Sequence, residues 1–449
     1  MNRKKVLVFL ISLTLLNHCS FDDKTGIWGD GDKEFKRVAK LEKEQQKKFN
    51  LDNVYSSESK FAKEILLQKK IILTNPKKNL NWSTFGLNNQ NNLGNIYFSG
   101  TNNLFLKKKV GKNKLSISKN TTQPLVYKNS IFISDDKGSI FCIDNSGDII
   151  WKKNIYKKLY KKIYKHLTFA IYKNNIYVAD NIGFIYALSL INGDLIWIKN
   201  HGIPLKSKIK INNDMIFLIN QDSRVISLNT NDGSLLWDHR SAESFIKSQK
   251  NLSLAISEDG NIIASNTSGD LMRINSITGQ MLWFLNTSGT NLLHESDFFK
   301  SSDIVINNNQ VFFSTKESFF SFDLKNGFLN WEIKVSSIGT PIIDGKNIFF
   351  VTENGYFVII DSYSGQVISS SFILSILKKY RQKTKITGFI MGSGKIYSTT
   401  SNGYIIISSA SSGKVERYIK IGKPVTSNPI ISDGKLFIYT EKSRIFGYD

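Results

Sequence analysis

Cys142-Ile143-Asp144-Asn145-Ser146-Gly147-Asp148-Ile149-Ile150-Trp151 is the stretch whose reading decides how this chain folds. An apolar strand end runs into a short polar turn, and a second strand leaves the turn and ends on an indole. The tail of that sentence returns at Gly193 to Trp197, Gly233 to Trp237, Gly279 to Trp283 and Gly327 to Trp331. Two further copies keep the glycine and replace the indole, at Gly365 to Ser369 and Gly413 to Arg417. Glycine suits a turn position with positive φ, and the indole brings a large apolar area to a fixed place in each unit. Such regular recurrence assigns the tryptophans to packing rather than to catalysis.

Working upstream, each copy opens with an apolar triplet that starts at Ile131, Ile176, Ile216, Ile262, Val311, Ile348, Ile396 or Leu436. A Gly or Ser follows seven positions later in every case, from Gly138 to Ser443. Alternation then resumes, as in Phe357-Val358-Ile359-Ile360, so each copy begins as a hairpin with a turn rich in Asn, Asp, Ser and Gly.

Successive copies start about 37 to 49 residues apart, the spacing of four-stranded propeller blades and long for leucine-rich or ankyrin units. One small sheet cannot bury both faces alone, so neighbours must stack. The eighth copy ends at Asp449 without its glycine-to-tryptophan tail, and Leu80-Asn81-Trp82 is expected to supply that strand from the other end of the chain. The expected fold is therefore all-β. It is an eight-bladed β-propeller of four-stranded antiparallel blades, closed by pairing N- and C-terminal strands, or seven-bladed if two weak copies merge. Trp82, Trp151, Trp197, Trp237, Trp283 and Trp331 are its expected docking residues. Closure leaves only short, protected edges.

The 449 residues divide as 1–18 signal peptide, 19–79 tether and 80–449 propeller. Arg3, Lys4 and Lys5 precede an apolar stretch from Val6 to Leu16, too short to span a bilayer and shaped like a secretory signal. Lys33 to Lys48 and Phe61 to Leu66 carry the spacing of short, weakly amphipathic helices. The formal net charge of +23 comes from lysines spread along the whole chain, which reads as a compositional bias. Its densest cluster, Lys157, Lys158, Lys161, Lys162 and Lys165 among tyrosines, is expected to be a solvated loop, or else an anionic contact.

Catalytic patterns do not emerge. The histidines of the repeat region, His166, His201, His239 and His294, each stand alone, without an H-E-x-x-H pair, a G-x-S-x-G elbow or a P-loop. Asp144, Asp323 and Asp361 recur in one register and are expected to form turns. Cys142 lies in an apolar strand and reads as a small core residue.

The repeated Cys142 to Trp151 pattern resembles the tryptophan-docking repeat of the pyrroloquinoline-quinone propellers, over residues 80 to 449. That superfamily holds quinoprotein alcohol and glucose dehydrogenases, and the BamB lipoproteins of outer-membrane β-barrel assembly. This chain lacks the adjacent cysteines of the dehydrogenases, has short connections and starts like a lipoprotein, so the resemblance points to the BamB branch. The start is similar to a bacterial lipoprotein signal, with His18 where Gly or Ala is usual. That resemblance implies lipidation of Cys19, and Ser20 fits sorting to the outer membrane.

Membership of that branch implies a non-enzymatic scaffold on the periplasmic face of the outer membrane, lipid-anchored and without cofactor. Its implied partners are a BamA-like barrel-assembly subunit and unfolded outer-membrane protein clients, with no nucleic acid and no small-molecule substrate. The partner-binding loops of the family correspond here to Phe245, Ile246, Lys247 and Ser248, and to Asp297. Lys247 stands where the family often has an arginine, keeping the charge without the bidentate geometry. A quinone-dependent dehydrogenase and a periplasmic binding propeller with another partner are the competing readings.

Overall fold

The computed structural model describes residues 61–101, 103–114, 122–160, 162–241, 252–266, 269–286, 301–315 and 317–449. The expected signal peptide, the expected lipidation site Cys19 and the helix expected over Lys33 to Lys48 lie outside these residues. Among the described residues no helix is long and apolar enough to cross a membrane.

The strands form eight four-stranded sheets. Blade 1 takes Leu125–Tyr127, Ser130–Ser134, Ile140–Ile143 and Ile149–Lys153 in chain order, with antiparallel pairing throughout. The same order repeats in blades 2 to 7, over 167–200, 210–240, 254–285, 305–333, 342–372 and 386–420. Blade 8 combines Ile430–Ser432, Lys435–Tyr439 and Arg444–Tyr448 with Leu104–Lys109 as its outermost strand. The fold is thus the expected eight-bladed propeller, with strands from both ends of the repeat region in one sheet.

The closing strand is not the expected one. Leu104–Lys109 pairs antiparallel with Arg444–Tyr448, setting Leu106 opposite Gly447 and Lys107 opposite Phe446. Leu106 is buried while the three lysines after it are exposed, the pattern of an outer strand with one face on its neighbour and a charged edge in water. Trp82 instead forms an antiparallel bridge with Val126 on the innermost strand of blade 1.

Burial explains the reading of the middle strands. They are covered on both faces by adjacent blades, so Ile176 to Ala179 and Phe357 to Ile360 are continuously buried. In each of blades 1 to 7 the pairing of third and fourth strands shifts register, just past the residue that faces the indole position. This recurrent bulge twists the outer strand locally and aims that side chain at the next blade. The turn aspartates cap the same corner: Asp144 Oδ1 accepts from the amides of Ser146 and Asp148, Asp323 from Lys325 and Asn326, and Asp361 from Tyr363 and Ser364.

The compact unit begins at Phe61, so residues 61–79, expected in the tether, are part of it. The helix expected over Phe61 to Leu66 is not formed. Ile65 lies in an extended segment that bridges Ser370 on the outer strand of blade 6, while Leu66 is 90% exposed. A helix there would bury nothing, whereas the sheet edge offers backbone partners.

From Thr74 to Ser99 the chain crosses the innermost strands of all eight blades. Trp82 and Ser83 bond to Val126 and Ile171 in blades 1 and 2, and Asn89 bonds to Ile211 and Ile256 in blades 3 and 4. Gln90 bonds to Ile306 in blade 5, Thr74 to Asp344 in blade 6, Asn95 to Gly394 beside blade 7, and Asn79 to Ile431 in blade 8. Most of these contacts fall near the end of each first strand or on the turn that follows it. The segment therefore sits at one end of the axial channel.

Candidate functional site

The five repeated indoles seal the junctions between consecutive blades. Each donates its Nε1 hydrogen to a carbonyl of the following blade: Trp151 to Leu190 at 3.2 Å, Trp197 to Thr230 at 2.9 Å, Trp237 to Ser276 at 2.9 Å, Trp283 to Leu324 at 3.0 Å and Trp331 to Ser362 at 3.1 Å. Each ring also covers the turn glycine of that blade. A Cβ on Gly193, Gly233, Gly279, Gly327 or Gly365 would lie 2.5 to 3.1 Å from the indole, and these glycines hold φ near +70°. The glycine thus belongs to the motif for two reasons, backbone angle and close approach of the neighbouring ring. Trp82 is different: its Nε1 meets no acceptor among the described residues, and it packs by the innermost strand of blade 1.

The two residues before each indole face outward. Ile149 and Ile150, Leu195 and Ile196, Leu235 and Leu236, Met281 and Leu282 all have large exposed apolar areas, as does Leu329. Blades 1 to 5 therefore present outer strands that are apolar and, along the described chain, unpaired on their outer side. Contiguous apolar exposure of this kind marks a contact surface, and an open edge can accept an extended segment by strand addition. The signal lies in the repeated tails themselves, where apolar residues directly precede the indole in blades 1 to 4. In blade 6 the corresponding edge is already taken: the Ile65 amide donates to Ser370 O and the Ser370 amide to Ile65 O, both at 2.9 Å.

The expected loop contacts Phe245, Ile246, Lys247, Ser248 and Asp297 lie outside the described residues. By sequence, the first four join the outer strand of blade 3, Leu235–Arg240, to the inner strand of blade 4, Leu254–Ile256. Within the basic cluster Lys157, Lys158 and Lys162 are exposed, as a solvated loop requires. Lys165 departs from that expectation. It is buried, donates to the carbonyls of Ile163 at 2.7 Å and of Tyr160, and lies 4.8 Å from the Tyr156 ring centre. Tyr156 in turn donates to Asp180 at 2.5 Å. The lysine ends up inside because carbonyls and an aromatic face replace its water.

Charged groups also line the start of the inner strands. Lys208 pairs with Asp303, whose other oxygen accepts from Thr340 Oγ1 at 2.6 Å. Burial works to raise the Asp303 carboxyl, but the charge and hydrogen bond of Lys208 outweigh it and hold the group below its usual range. Burial, with Lys208 nearby, lowers Lys210 to about 7. Its ammonium donates to Phe85 O at 2.8 Å and Asn88 O at 2.5 Å. Burial, then the charges of Lys206 and Lys208, lowers His166 to about 4. Cys142 is a free, buried thiol that burial pushes up to about 11, which leaves it protonated and a poor nucleophile at neutral pH. Among the described residues no group of three or more His, Cys, Asp or Glu side chains is placed to hold a metal ion.

Residues 136–371 match the protein family described as outer membrane protein assembly factor BamB. Among curated proteins, the factor of that name from Yersinia pestis is 20% identical over 333 residues, spanning 71% of this chain and 82% of the relative. The one from Escherichia coli K12 is 19% identical over 322 residues, spanning 60% and 80%. The crystal structure of BamB from Moraxella catarrhalis superposes with a TM-score of 0.63 at 11% identity, covering 77% of this chain and 99% of that one. A quinohemoprotein alcohol dehydrogenase from Pseudomonas putida HK5 reaches 0.61 at 10% identity, covering 82% and 80%. These two structural likenesses concern the fold alone.

Proposed function

The chain belongs to the family of the outer membrane protein assembly factor BamB, and from that premise we propose that it is a non-enzymatic scaffold in the assembly of outer-membrane β-barrel proteins. Cys19 carries the lipid that anchors it to the periplasmic face of the outer membrane. Its partner is a BamA-like barrel-assembly subunit, and its clients are unfolded outer-membrane proteins. Phe245, Ile246, Lys247, Ser248 and Asp297, on the connections that follow the outer strands of blades 3 and 4, contact that subunit.

The observation that carries this reading is the set of exposed apolar pairs on the outer strands of blades 1 to 4, continued by Leu329 on blade 5. A rigid ring holds these strands at fixed angles, and their outer backbone groups can pair with an extended chain. Burying such pairs against a partner contributes roughly 25 cal/mol per Å² of apolar area, less the loss of rigid-body freedom.

Affinity purification of the full chain from detergent-solubilised membranes, followed by mass spectrometry, tests the reading. A barrel-assembly subunit should be recovered in amounts comparable to the bait, and Cys19→Ala should release the chain from the membrane fraction. Recovery of no such subunit, or dye-linked oxidation of an alcohol after addition of pyrroloquinoline quinone and calcium, would contradict it.

A further inference from the structure

We propose that the end of the axial channel is a binding site for an extended polypeptide, which this chain fills in cis with residues 74–99. The innermost strand of every blade has one side without a sheet neighbour. That side turns a ring of backbone donors and acceptors toward the axis, and buried groups of this kind need partners.

The segment meets that need by two devices. Its backbone donates and accepts like an added strand, as where the Trp82 amide donates to Val126 O at 2.6 Å and the Val126 amide donates back at 3.1 Å. Its asparagine amides do the rest: Asn91 Nδ2 donates to Leu254 O at 3.1 Å and Ile304 O at 2.8 Å, joining blades 4 and 5 through one side chain. Left-handed residues, Gly86 at φ 75° and Asn91 at φ 58°, let the chain turn tightly enough to visit successive blades. A Cβ at Gly86 would lie 2.2 Å from Asn91 Oδ1, so the tight turn and the bridging amide depend on each other.

The ligand class follows from these contacts. The site takes a narrow, extended, asparagine-rich chain with glycine at its turns, and one large apolar side chain at the position of Trp82, which is 1% exposed. The outer edges of blades 1 to 5 have no sheet partner along the described chain, while this inner rim stays closed to partners as long as its own segment is bound. A cis occupant competes at an effective concentration on the order of millimolar, so external chains are excluded unless the segment is weakened.

Two measurements on the full chain test the proposal. Hydrogen exchange of the native protein should show the amides of 74–99 protected on the order of 1000-fold, like those of the innermost strands. A fluorescein-labelled synthetic peptide with the sequence of residues 74–99 should bind the variant Trp82→Ala/Asn91→Ala at least ~10-fold more tightly than the native chain. Should the variant fail to fold, exchange in the native protein decides alone. Rapid exchange across 74–99 in the native protein would overturn the proposal. So would a folded variant whose segment is released and which still does not bind the peptide.

Discussion

Blades 1 to 5 and blades 6 to 8 solve one packing problem with different material. In the first arc an indole from each blade covers the turn glycine of the next and bonds to its carbonyl. In the second arc the indole is gone. Ser369 Oγ lies 3.2 Å from a Cβ position on Gly413, and Ser371 Oγ donates to Gly413 O at 2.6 Å. Arg417 donates to Thr101 at 2.7 Å, and the turn at Gly147 is covered by Leu106 and Lys108 of the closing strand. Residues from 61–109, which lie outside the repeat, thus supply contacts where blade 8 meets blades 7 and 1, while Ser369 and Ser371 of blade 6 cover the turn of blade 7. Wherever the motif's turn glycine is present a neighbouring blade covers it, and the covering group differs from junction to junction.

The sharpest way to break that contrast is to remove a covering group from each arc. Trp331→Ala should destabilise by about 3–5 kcal/mol, because the ring is buried, stacks on Phe319 at 5.9 Å and holds Ser362 O. Ser369→Ala should cost about 1 kcal/mol or less. Denaturant midpoints for the two variants check this, and equal losses would mean that the indoles are not the seal.

Glycine substitutions sharpen the same comparison. Gly279→Ala forces a Cβ to 2.8 Å from Trp237 at φ +72°, and should cost about 2–4 kcal/mol. Gly422 has a similar φ of +76° with nothing within 4 Å, so Gly422→Ala should cost only about 1 kcal/mol. If both cost the same, the backbone angle alone explains the motif.

A smaller effect is expected where the non-repeat segment covers blade 6. Ile65→Pro removes the amide that donates to Ser370 O, and should lower stability by about 1 kcal/mol while exposing 61–70 to protease. Unchanged proteolysis would detach this segment from the edge.

The smallest effect concerns pH. His166 titrates near 4 in the fold against an ordinary 6.5, so between these values the unfolded chain takes up the proton first. Its contribution is present above 6.5 and lost as pH falls through 4. The melting-temperature advantage of the native chain over His166→Gln should therefore shrink by about 2–4 °C on acidification across that window. A growing advantage would reverse the assigned environment.

The contrast between arcs also explains what the sequence discloses. Indole and turn glycine recur in register, so blade number and order are legible from spacing alone. The closing strand is not, because Leu104–Lys109 buries fully only Leu106 and shows neither the repeat's tail nor a clear period. The axial segment is illegible for another reason. It meets mostly backbone groups on strand edges, and the asparagines that reach them, such as Asn79, Asn89 and Asn91, read in sequence as turn residues. The same holds for Ile65, whose apolar neighbours suggest a helix until a sheet edge is available. Burial of Lys165 is illegible because the five lysines among the nine residues from 157 to 165 look alike in sequence, and only the fold supplies its carbonyl partners.

The functional side of the contrast is that the outer strands of the indole-sealed arc have no sheet partner along the described chain, while blade 6 has its edge filled by its own chain. Site-specific photo-crosslinking in cells from Leu236, exposed on blade 3, and from Ser371, on blade 6, measures this directly. The account predicts an adduct with a barrel-assembly subunit or an outer-membrane protein client from Leu236 and none from Ser371. Equal adducts from both positions, or none from either, would contradict it.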